Sequence, residues 1–200
     1  QIETHSEFNM SKRLVGLFLA GFSIRLLWIA ALPWSEPSLY PYFDADGYLN
    51  AVEAFHTGRF LDHPDQIVRM PLYPGLMAFG IRSFTSAPIS PQNFWSLFPI
   101  RLWHCLLDLC TLACIYLFIR RWISESCAFM AGCLYAVYPL TLYHLPILNT
   151  ETIQGTAIGF WLLGAAQTLG TRKIANAILL SLLSAILVFI SPALQFLPFC

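Results

Sequence analysis

The chain has 200 residues, of which 57% are hydrophobic, 15% aromatic and only 11% charged, and its mean hydropathy is +0.62. Soluble domains carry roughly 25% charged residues, so an ordinary soluble domain is excluded and a membrane protein is expected. Eleven Lys and Arg balance eleven Asp and Glu, which leaves no basic field to attract nucleic acid, and six Cys are too sparse for a secreted disulfide scaffold.

The first nine residues are polar, and Met10-Ser11-Lys12-Arg13 reads like an initiation site. Residues 1–9 are therefore expected to be an upstream extension and 10–200 a single transmembrane domain. Apolar stretches long enough to cross hydrocarbon, roughly 17–25 residues, fall at about 14–33, 97–119, 126–146, 151–169 and 174–191. The predicted fold is all-α and polytopic, with about five transmembrane helices. The first run is too long for a signal-peptide core and carries Arg25 in its middle, so a retained helix is expected. With a cytoplasmic N-terminus, the pairs Lys12/Arg13, Arg120/Arg121 and Arg172/Lys173 all fall inside, as the positive-inside rule requires. The 34–96 loop then lies outside the cytoplasm. The chain stops at Cys200 as the fifth helix emerges, which predicts the N-terminal part of a longer protein.

Charged residues at membrane depth default to pairing or function. Arg25 is the twelfth residue of the first span and Asp108 the twelfth of the second, which runs the opposite way. At a rise of about 1.5 Å per residue both reach the same depth, so they are expected to form a structural intramembrane pair; the alternative is a role in a substrate path. Arg101, His104 and Asp108 follow i, i+3, i+7 spacing and share one helix face, which must point into protein. Gly155 and Gly159 form a GxxxG whose expected role is close helix packing. Cys105, Cys110, Cys114, Cys127 and Cys133 lie inside spans without a CxxC, so neither a metal nor a redox site is expected of them.

Polar residues concentrate in the 34–96 loop. Asp46 to Thr57 reads as a short amphipathic helix, with Tyr48, Leu49, Val52 and Phe55 on one side and Asn50, Glu53 and His56 on the other. Gly75 to Phe84 is apolar but too short to span, and Pro71 and Pro74 before it fit an interfacial or re-entrant helix. Three readings of Asp44-Ala-Asp46 remain open. It could be a metal-holding DxD, although nucleotide-sugar donors are cytoplasmic and the loop is not. It could be a turn with Asp46 as helix N-cap, or it could supply a general base for an acceptor hydroxyl or amine.

FDADGYLNAVEAFHTGRF, followed after a short gap by RMPLYPGLMA, resembles the first extracytoplasmic loop of C-type integral-membrane glycosyltransferases. The nearest likeness is to the dolichyl-phosphate-mannose protein mannosyltransferases and bacterial aminoarabinose transferases. YPLTLYHLPILNTETI is similar to a stretch where these enzymes carry a Glu at the outer mouth of a helix. The resemblance implies transfer of a sugar from a polyprenyl-phosphate donor to a lipid, glycan or protein acceptor on the outer face. It implies Asp44 as catalytic base, with Asp46 second, and Arg69 as a phosphate contact. Tyr73 and Tyr48 would line the substrate cavity, with Glu151 and His144 at its mouth. Glu151 could equally be a dipole-favoured first-turn residue capped by Asn149 or Thr150. No cofactor and no obligatory metal are expected, since the cation of Arg69 can stabilise a monophosphate leaving group. The expected location is the bacterial inner membrane rather than the endoplasmic reticulum, with membrane lipids as neighbours. A transporter or flippase-like protein and a non-catalytic truncated membrane subunit are the competing expectations.

Overall fold

A computed structural model describes residues 2–31, 43–59, 72–82, 94–147, 149–171 and 174–190. Within them lie eight helices and no strand: α1 (Ile2–Ala31), α2 (Phe43–His56), α3 (Leu72–Arg82), α4 (Phe94–Trp122), α5 (Glu125–Ala136), α6 (Pro139–His144), α7 (Glu151–Thr171) and α8 (Ile174–Ile190). Two helical stretches are long and apolar enough to cross a membrane, Lys12–Ala31 and Leu97–Trp122. α1 runs from Ile2 through Met10 without a break.

α4 is the axis of the molecule. It packs against α1, α3, α5 and α7, while α2 lies on α3 and α8 on α7. One core cluster gathers Leu49, Val52, Tyr73, Met77, Leu97, Ile100 and Ile153, which joins α2, α3, α4 and α7. A second gathers Leu17, Leu112, Tyr116 and Ala128 between α1, α4 and α5. The GxxxG is consumed by this packing. A Cβ on Gly159 would sit 2.9 Å from the Cβ of Cys114 on α4, and one turn earlier Thr156 donates to Leu107 O at 2.8 Å and lies 3.1 Å from the Thr111 hydroxyl. Outward faces are apolar, with Leu27 69%, Leu134 67%, Leu169 74% and Ile174 79% exposed.

Local chemistry explains the boundaries. α2 closes on Gly58, whose φ of +72° permits the paired bonds Arg59 N to Ala54 O (2.8 Å) and Gly58 N to Phe55 O (3.3 Å), a Schellman cap. Pro74 falls in the first turn of α3, where its missing N–H costs no helical bond. Arg120 and Arg121 occupy the last turn of α4, complementing the helix dipole. Ser124 then caps α5, its Oγ accepting from Cys127 N at 3.2 Å.

The expected continuous helix over 126–146 is broken. α5 ends after twelve residues, Tyr138 is extended with ψ of 119°, and Pro139 begins the six-residue α6. The cause is Pro139: its ring disfavours the helical conformation at Tyr138 and cannot donate back to the Tyr135 carbonyl. Tyr138 N instead reaches Tyr135 O at 3.1 Å, a tightened last turn.

Candidate functional site

Of the residues singled out from the sequence, Arg69 lies outside the described residues. Asp44 and Asp46 belong to the first turn of α2, which begins at Phe43. Asp46 is thus a helical residue, and its reading as N-cap does not hold. Asp44 stands four residues before Tyr48 in α2. The Tyr48 ring meets Tyr73 of α3 edge-on, with centroids 5.0 Å apart and planes at 80°. Tyr73 itself is 0% exposed, so it is a core residue and not an open cavity wall. Burial above all, then Tyr48 and Glu151, hold its phenol well above the ordinary tyrosine range. It therefore remains a neutral hydrogen-bond donor.

That hydroxyl lies 3.0 Å from Nε2 of His104 on α4, whose Nδ1 lies 3.1 Å from Leu145 O. A carbonyl can only accept, so Nδ1 carries the proton and Nε2 receives the Tyr73 hydrogen bond. One neutral imidazole thereby ties α3, α4 and the segment after α6. Arg101, one turn before His104, donates from Nε to Pro146 O at 3.3 Å in the same segment.

Asp108, on the same helix face, serves another neighbour. The Nε of Arg25 donates to its Oδ2 at 2.6 Å, Nη2 also contacts Oδ2, and Nη1 donates to Gly21 O at 2.9 Å. Tyr135 of α5 donates to Asp108 Oδ1 at 2.6 Å, and the guanidinium lies 5.9 Å from the Tyr135 ring centre. Both charges are sequestered, Arg25 at 0% and Asp108 at 4% exposed. Counting along the sequence sets Arg25 opposite Asp108 but does not single out Tyr135, one of three tyrosines in the 126–146 run.

The break between α5 and α6 leaves a cleft of about 160 Å³. It is lined by Asp108, Tyr135, Tyr138, Leu140, Thr141, His144, Glu151, Thr152 and Gly155, and its exposed surface is mostly apolar. Glu151 is the exposed first residue of α7. The amide of Asn149 donates to His144 Nδ1 at 2.8 Å, which leaves Nε2–H as that imidazole's donor. Among the described residues, no group of three or more His, Cys, Asp or Glu side chains is placed to hold a metal ion.

Compared with family models, with curated proteins and with solved structures, the chain matches none.

Proposed function

We propose that the chain is the sugar-transferring part of a polytopic membrane glycosyltransferase, taking its sugar from a polyprenyl-phosphate donor and delivering it on the extracytoplasmic face. What supports this reading is the shared core of α2, α3 and α7: Leu49 and Val52 of α2, the helix that carries Asp44, pack in one cluster with Tyr73 and with Ile153, two residues after Glu151. Apolar outer faces, buried polar seams and two helices of spanning length support five membrane crossings, α5 and α6 together forming one of them. The proposed setting is the bacterial inner membrane with the N-terminus inside.

In the proposed reaction the acceptor hydroxyl or amine attacks the anomeric carbon and loses its proton to Asp44. The bond from that carbon to the phosphate oxygen breaks with inversion, and polyprenyl phosphate leaves beside the Arg69 guanidinium. Tyr73 orders the wall beneath Tyr48 and does not touch substrate. One observation favours the transport reading, since a discontinuous helix beside a cleft also marks transporter sites. Against it, the guanidinium of Arg25 is closed onto Asp108 and Gly21 and faces no path.

The test is transfer of radiolabelled sugar from polyprenyl-phosphate donors in membranes expressing the chain with its natural continuation, beside Asp44→Asn. Expected is labelled product that falls by about a hundredfold or more in the variant, the usual weight of a positioned general base. A membrane-inserted protein that transfers from no donor overturns the reading in favour of transport.

A further inference from the structure

We infer that the groove between α7 and α8, with the Arg121 guanidinium near its basic end, is a site for one anionic phospholipid, the phosphate at the arginine and an acyl chain along the groove. The inference rests on the proposed membrane setting and not on sugar transfer. α8 packs chiefly on α7, and a cavity of about 280 Å³ lies between them. Phe160 and Leu163 of α7 and Leu179 and Leu183 of α8 give it apolar walls, while Gln167 and Asn176 bring amides to it. Both amides stand at one end, since Gln167 is one turn before Thr171 at the close of α7 and Asn176 lies in the first turn of α8. From Phe160 to Gln167 the groove follows about 10 Å of helix, which suits a length of alkyl chain. Charge, amide and hydrocarbon thus follow one another as phosphate, ester and chain do in a phospholipid.

Packing brings the charge to that end. Arg120 and Arg121 occupy the last turn of α4, which packs along α7. A Cβ on Gly170 would lie 2.6 Å from Nη2 of Arg121, so the glycine admits the guanidinium against α7, one turn past Gln167. At the same end Arg13 of α1 reaches Glu125 at 3.6 Å, which engages the acid that opens α5. Among the described residues neither Arg120 nor Arg121 forms an ion pair, and Arg121 is exposed. An arginine at the edge of hydrocarbon keeps its head among the lipid headgroups and can grip a phosphate with paired hydrogen bonds. Basic pockets between membrane helices select anionic lipids in this way. A choline headgroup would bring its own cation toward Arg121, so a lipid of net negative charge is preferred. No carboxylate lines the groove to oppose it.

The experiment measures lipid retained by the full chain in native mass spectrometry from neutral-detergent micelles, with phosphatidylglycerol and phosphatidylcholine of identical acyl chains as the probes. Arg121→Gln removes the charge. Leu179→Trp fills the groove from a position that is 54% exposed, so it keeps the test decisive if Arg121→Gln destabilises the fold. Arg13→Gln is the control, deleting a charge at the same end but on α1. The parent and Arg13→Gln are expected to retain phosphatidylglycerol about fivefold over phosphatidylcholine, the weight of one basic residue beside an anionic lipid. That preference is expected to vanish in Arg121→Gln, and Leu179→Trp is expected to retain little of either lipid. Equal retention of the two lipids by the parent overturns the inference. So does a preference that survives both groove variants, or one that Arg13→Gln abolishes as fully as Arg121→Gln, which would make it a diffuse attraction to the basic end. Release of the chain from membranes by alkaline carbonate would overturn the membrane setting itself, whereas an integral chain that transfers sugar without any lipid preference would sink the lipid site alone.

Discussion

α4 carries two buried polar clusters one turn apart, and they are built on opposite principles. The cluster at Asp108 is ionic: carboxylate, guanidinium and phenol close on each other between α4, α1 and α5. The cluster at His104 is neutral: phenol, imidazole and carbonyl form a chain between α3, α4 and the segment after α6. Removing one partner of the first strands a full charge away from water, whereas removing one partner of the second strands only a lone pair. The difference teaches that equal burial on one helix does not mean equal vulnerability.

Breaking the ionic cluster gives the largest expected effect. Asp108→Ala leaves Arg25 buried without its counter-charge and is expected to cost about 3–5 kcal/mol. Unfolding in mixed micelles with increasing denaturing detergent measures it. The double variant Arg25→Leu with Asp108→Leu sharpens the point, because it removes both charges and is expected to stay within about 1 kcal/mol of the parent or to exceed it in stability. If the double variant is as unstable as Asp108→Ala, charge pairing is not what the cluster contributes.

Tyr73→Phe tests the neutral cluster. It keeps the ring against Tyr48 but leaves His104 Nε2 without its donor, an expected loss of about 1–3 kcal/mol. The same unfolding titration reads it. Smallest is Thr156→Val, which preserves shape and deletes the α7 hydroxyl bond to Leu107 O. Interhelical hydrogen bonds of this kind average about 0.6 kcal/mol in membrane proteins, so a shift near the resolution of the titration is expected, and one rivalling Tyr73→Phe would contradict this ranking.

The ionic cluster is largely legible in the sequence because a charge inside a long apolar run is rare and counting residues along oppositely directed helices brings Arg25 level with Asp108. The shared face of Arg101, His104 and Asp108 was legible for the same reason, and all three are at most 4% exposed. Their separate partners were not, since periodicity tells which side of a helix a residue occupies and not which neighbour covers it. Leu145 O, the acceptor for His104, is a backbone atom with no sequence signature. The break after Ala136 did have a signal, Tyr138-Pro139, but hydropathy is blind to it: proline and its neighbours leave the apolar run unbroken while removing the helical bond. The amphipathic order of α2 was readable, with Leu49 and Val52 buried and Asn50 and Glu53 exposed as the alternation predicts. That helix begins three residues before the expected Asp46, since an acidic residue is as well suited to a first turn as to a cap. The candidate base Asp44 rests on resemblance alone, and the structure adds only that it stands one turn before Tyr48 in α2.

The separation of Arg25 and Asp108 by 83 residues sets a clock on biogenesis. A ribosome working at about 5–20 residues per second needs on the order of 4–17 s to make the intervening chain. In the proposed membrane setting, α1 holds Arg25 throughout that interval with no acid to answer it, a state that insertion scales put at roughly 2.5–3.5 kcal/mol uphill for a residue at the bilayer centre. In that setting the guanidinium gains its counter-charge only when α4 arrives, so Asp108 sets the timing of assembly as well as bracing its product.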